Sequence, residues 1–179
     1  MKDITEGNFG VVIAFWLPGF LLLWGLSYSF PALALWLDKE SATDAPSIGD
    51  FLYATIASLA VGLLISAVRW LFVDQLFFRL CGLLLSNLRR PKLDFSLLKN
   101  KDTLEAFSAA VNNHYRYYQY YSNTFISLTI VYVTYASEKK GVWFSQLTIW
   151  SLLLEVALLL ASGDCIRKYH DAISQILKQ

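Results

Sequence analysis

Glu155 stands alone among charged residues in an otherwise apolar run, Val142 to Gly163. A carboxyl group in hydrocarbon is costly, so it pairs with another polar group, lines a water-filled path or relays protons. Helical periodicity gathers Thr148, Ser151, Glu155 and Ser162 onto one stripe, opposite Leu, Val and Trp. Three arrangements fit that stripe. In the first, a neutral Glu155 hydrogen-bonds Asn123 or Ser127, at its depth on the antiparallel preceding helix. In the second, Glu155, Ser151 and Thr148 line or gate an ion path shared by several copies of the chain. In the third, Glu155 forms an ion pair with Arg69.

A second cluster lies at Asn112-Asn113-His114-Tyr115-Arg116-Tyr117-Tyr118, followed by Tyr120 and Tyr121. Tyrosine favours the membrane interface, with its ring in lipid and its hydroxyl in water. An aromatic belt is the simplest reading. The sharper one is a ligand or lipid-headgroup site built from Asn113, His114, Arg116, Tyr117 and Tyr120. Catalytic signatures are missing. No phosphate-binding G-x-x-x-x-G-K-[ST], no G-x-S-x-G and no H-E-x-x-H occurs. The two histidines, His114 and His170, and the two cysteines, Cys81 and Cys165, have no metal-ligand spacing. Neither a cofactor nor a metal is expected. The net charge of +1 and the lack of a basic block argue against nucleic acid as a partner.

These residues need helices long enough to hold them. Of 179 residues, 56% are hydrophobic and 16% charged, against about 25% charged in a soluble domain. The apolar residues form charge-free runs near the ~20 residues that cross a bilayer. The expected fold is all-α and polytopic, with four transmembrane helices at about 9–28, 51–70, 117–137 and 142–163. Pro18-Gly19 predicts a kink in the first. Pro31 to Leu37 reads as a re-entrant or interfacial piece. A cleaved signal peptide wants a basic start; Met1-Lys2-Asp3-Ile4-Thr5-Glu6 is slightly acidic, so an uncleaved first span is expected.

In the second span Ala54, Ser58, Gly62 and Ser66 recur every four residues. Small side chains at that spacing let another helix approach closely, either inside the chain or in a second copy. The helix is expected to continue through Trp70 to Arg79, against headgroups or a partner helix. Asp102 and Glu105 suggest a capping box that starts the next helix, uninterrupted to Ser137. Residues 71–116 then form a cytoplasmic helical hairpin made from extensions of helices two and three. Glu138-Lys139-Lys140-Gly141 predicts a tight turn, and Asp164 to Gln179 an amphipathic tail. With both termini cytoplasmic, only Lys39, Lys139 and Lys140 of the 15 basic residues face outward, the bias of the positive-inside rule.

His114-Tyr115-Arg116-Tyr117-Tyr118-Gln119-Tyr120-Tyr121-Ser122-Asn123, Ser66-Ala67-Val68-Arg69-Trp70 and Leu93-Asp94-Phe95-Ser96 together resemble small bacterial membrane proteins of similar length with no assigned activity. The resemblance implies a bacterial inner membrane. Size and helical content are similar to those of small membrane effectors in anti-phage defence, an analogy of architecture. The expectation is a homo-oligomeric, channel-like pore in the lipid bilayer, joined through helix two, lined by Glu155 and gated through the hairpin. The alternative is a non-conducting anchor that recruits a soluble cytoplasmic protein.

Overall fold

The computed structural model describes residues 10, 12–37, 48–77, 96, 99–139 and 145–177, and among these every regular element is helical. Helix α1 (Leu17–Leu26) is led in by a π-helical turn, Val12–Trp16. A short α2 (Pro31–Trp36) follows. Helix α3 (Ile48–Arg69) runs on as a π-helical stretch, Trp70–Phe77. Helix α4 (Lys101–Ala110) passes through a π-helical segment, Val111–Tyr115, into α5 (Arg116–Glu138). Helix α6 (Gln146–Ile176) closes the chain. Outside the described residues fall the start of the first span at Phe9, the loop 38–47 and the helix beyond Phe77. So do the basic turn Arg89-Arg90-Pro91-Lys92 and the segment 140–144.

Two helices are long and apolar enough to cross a membrane, Phe51–Gln75 and Gln146–Ile176. Val12–Leu26 is apolar but shorter. Only 17% and 11% of the most apolar stretches of the two long helices are buried within the chain. Apolar helices in a water-soluble core are covered; these present Phe51, Ile56, Leu63 and Leu64, or Trp150, Leu153, Val156 and Leu160, to their surroundings.

Proline explains how α1 begins. Pro18 has no N–H to offer the carbonyl four residues back, so regular α-helical bonding cannot start before it. The wider π-helical turn precedes it, and α1 starts with the proline in its first turn. At the far end the Ser27 hydroxyl donates to the Trp24 carbonyl at 2.6 Å. Phe30 then starts the turn into α2, its carbonyl accepting from Leu33 and Ala34.

Glycine sets the spacing of α1 and α3. A Cβ added at Gly19 would run into the Ser58 carbonyl, and one added at Gly62 into that of Phe15. The two backbones therefore touch, and α3 runs antiparallel to α1. Ser58 and Gly62 of the small-residue stripe pack on α1 and its lead-in turn inside the chain.

Helix α5 is the hub. It packs on α1, α3 and α6, and it buries Tyr118, Gln119, Ser122, Asn123, Ile126, Ser127 and Ala136. It lies parallel to α1, with Asn123 beside Ala14 and Ser127 beside Pro18, and antiparallel to α6. The apolar centre joins Leu22 of α1, Ile65 of α3, Val73 of the π-helical extension and Ile126 of α5.

Two local expectations change. Helix α4 is capped by Asn100, whose side chain accepts from the Asp102 N–H at 3.2 Å, so Asp102 lies inside the first turn rather than capping it. Thr103 and its neighbours do belong to one helical path from Lys101 to Glu138. Helix α6 is described from Gln146, after an extended Ser145, and Val142 lies outside the described residues. It continues unbroken to Ile176, so the tail is the end of the same helix.

Candidate functional site

A polar seam runs between α5 and α6. The Ser122 and Ser162 hydroxyls lie 2.6 Å apart, both buried. Farther along, the Tyr132 hydroxyl donates to Thr148 Oγ1 at 2.7 Å. Glu155 falls between these rungs and faces Thr129. Thr129 donates its hydroxyl proton to the Phe125 carbonyl at 2.9 Å. Glu155 Oε1 is enclosed without a hydrogen-bond partner among the described residues.

Glu155 thus meets neither Asn123 nor Ser127. Those residues face α1. Asn123 Nδ2 donates to the Ala14 carbonyl at 2.7 Å, and Ser127 Oγ donates to the Pro18 carbonyl at 3.0 Å. Ala14 is the residue four before Pro18, whose missing N–H leaves that carbonyl open, and the Asn123 amide fills the gap. The expected depth is displaced by about one helical turn, since Ser162 pairs with Ser122 and so sets Glu155 opposite Thr129.

The second constellation lies where α3 passes into its π-helical stretch. Arg69 Nη1 contacts both carboxylate oxygens of Asp74, at 2.9 and 3.1 Å. The Tyr118 hydroxyl donates to Asp74 Oδ1. The guanidinium carbon lies 5.0 Å from the centre of the Tyr118 ring, a cation–π distance. Arg69 is 3% exposed and Tyr118 1%. An isolated buried arginine would be expensive; here the charge is paired, hydrogen-bonded and stacked.

The π-helical winding makes this possible. Residues five apart diverge on an α-helix, whereas i→i+5 bonding brings them to one side. Trp70–Phe77 is so wound, and Asp74 returns to Arg69. Tyr115 extends the cluster, its ring 5.8 Å from Tyr118 and 5.1 Å from Tyr169 of α6. One continuous contact therefore ties the end of α3, the start of α5 and the last turns of α6. Burial, then the neighbouring Tyr115, raises the Tyr169 phenol above its ordinary value. Close by on α6, the Asp164 carboxylate is held below the ordinary range, first by the Lys168 ammonium that hydrogen-bonds it.

The residues of the tyrosine-rich stretch separate. Asn113 and Tyr117 are exposed, and His114 is half-buried. Arg116 Nη1 donates to Gln119 Oε1 at 3.2 Å. Tyr120 walls a groove against α1. Tyr118 leaves the belt for the interior. Ser151 is half-buried on the α6 stripe, as are Ala54 and Ser66 on α3. No group of metal-ligating side chains forms among the described residues. Asp74 is the residue that spacing alone missed: five from Arg69, it reads as solvated on an α-helix.

The arrangement holds three helix ends together. No protein-family model matches the chain, and neither a curated protein nor a solved structure matches it significantly.

Proposed function

We propose that the chain is a multi-pass membrane anchor. Val12–Leu26, α3, α5 and α6 cross the bilayer with both termini cytoplasmic, and the segment 71–116 with the α6 tail recruits a soluble partner. The alternating directions of the packed helices support four crossings, as does the bare apolar surface of α3 and α6. One observation carries the anchor reading over a pore. Along α6, Thr148, Glu155 and Ser162 face α5 within one subunit, so the stripe is not left over to line a path between copies. The close-approach face of α3 is likewise covered by α1.

The Arg69–Asp74–Tyr118 clamp gives the cytoplasmic segment a fixed base. A partner bound there meets a rigid junction rather than loosely tethered helices.

The test is ion flux from liposomes holding the purified protein, with its mass in nanodiscs. An anchor gives flux no greater than empty liposomes, and Glu155→Gln changes nothing. Charge reversals at Arg89, Arg90 and Lys92 should abolish recruitment while α-helical content and membrane insertion persist. A closed ring of copies with a current altered by Glu155→Gln would instead establish the oligomeric pore gated through its hairpin. The enclosed, partnerless Glu155 Oε1 is the observation that favours that second reading.

A further inference from the structure

We propose that the groove between α1 and α5 holds one acyl chain of an anionic phospholipid of the cytoplasmic leaflet, with its phosphate on Arg116. The inference rests on the membrane reading above. The groove is lined by Leu17, Phe20, Leu21 and Trp24 of α1 and by Tyr120 and Thr124 of α5, and measures about 450 Å³. Its α1 wall belongs to a ladder of rings: Trp16, Phe20 and Trp24 follow at 5.9 Å intervals.

Length fits the occupant. Helices α1 and α5 are parallel, and Gly25 packs on Val131, which puts Trp24 near the level of 130. From Tyr120 to that level is about ten residues, or roughly 15 Å at ~1.5 Å per residue. Half of a ~30 Å hydrocarbon core is the same distance. The groove therefore runs the depth of one leaflet.

Charge selects the head. Arg116 lies one turn before Tyr120, on the same face and at the cytoplasmic end. Its stem lies against Gly10, with Cγ 3.2 Å from the place a Gly10 Cβ would take. A guanidinium has five N–H donors. Gln119 accepts from Nη1, and Nε is enclosed, so a phosphate would meet the outer end of the guanidinium. The side chain is half-exposed, so a phosphate can reach donors already fixed in place. Planar guanidinium–phosphate pairing is strong and directional.

The experiment is native mass spectrometry of the full chain, released from detergent after incubation with equal amounts of phosphatidylglycerol and phosphatidylcholine of identical chains. Phosphatidylcholine carries the same phosphate beside its own ammonium, which competes with Arg116 for it, so the wild type should retain one phosphatidylglycerol about tenfold over phosphatidylcholine, a difference of about 1.4 kcal/mol. Arg116→Gln should bring the two lipids to parity. Thr124→Trp, which fills the groove and keeps the charge, should lose both. Glycerol phosphate, which has no chain, should not displace the lipid. Equal retention of both lipids by the wild type overturns the proposal, as does undiminished retention in Thr124→Trp. Carbonate washing of membranes separates the failures. A chain that washes off sinks the membrane reading itself, whereas a chain that stays but shows no preference sinks the lipid site alone.

Discussion

The seam between α5 and its neighbours and the clamp at the end of α3 are both buried and polar, yet they solve different problems. The seam uses neutral groups: Ser122 with Ser162, Asn123 with a backbone carbonyl, Ser127 with another. The clamp uses full charges, Arg69 and Asp74. In hydrocarbon, hydroxyls and amides contribute modestly when paired and cost modestly when not. Charges give strong pairing but leave a large penalty behind when one partner is lost. Neutral rungs therefore suit the depth of the bundle, where helices must pack. The ion pair sits where α3 changes winding and three helix ends meet.

The sharpest way to break this contrast is Asp74→Ala. It strands a buried guanidinium and a buried phenol together, and should cost about 3–5 kcal/mol in reversible unfolding from mixed micelles. Tyr118→Phe, which leaves the ion pair intact, should cost only about 1 kcal/mol. A second test is purely steric. Gly62→Ala pushes α3 off α1 and should cost about 1–3 kcal/mol, read as a lowered unfolding midpoint. Next comes Asn123→Ala, which bares the Ala14 carbonyl, at about 1–2 kcal/mol. Adding Pro18→Ala restores the missing N–H and should recover part of that loss. Smallest is the coupling between Ser122→Ala and Ser162→Ala in a double-mutant cycle, about 0.6 kcal/mol. If that coupling equalled the Asp74→Ala cost, the two regions would not differ in kind.

The helical character of the chain could be read directly, because long apolar runs without charge leave few alternatives. The continuous path from α4 into α5 could be read from the absence of Pro and Gly between Asp102 and Ser137. The small-residue stripe announced a close approach but not its partner, since Gly19 and Gly62 meet backbone carbonyls, which have no sequence signature. Asn123 and Ser127 were recognisable as interior polar groups. Their partners were not, because they too are carbonyls; the clue was Pro18, whose effect reaches back to Ala14. Asp74 was hidden by winding. An assumed α-helical turn places it away from Arg69, and nothing in Trp70–Phe77 marks the wider π-helical turn.

The bond between Asn123 and Ala14 spans 109 positions. A ribosome adding about 5–20 residues per second needs roughly 5–20 s to travel from one to the other. During that interval the first helix exists with an open carbonyl and no amide to close it. Its packing is provisional until α5 arrives beside it. The later-made α5 thus finishes the earlier-made α1, and truncation before residue 123 should leave a nascent chain with that carbonyl uncovered.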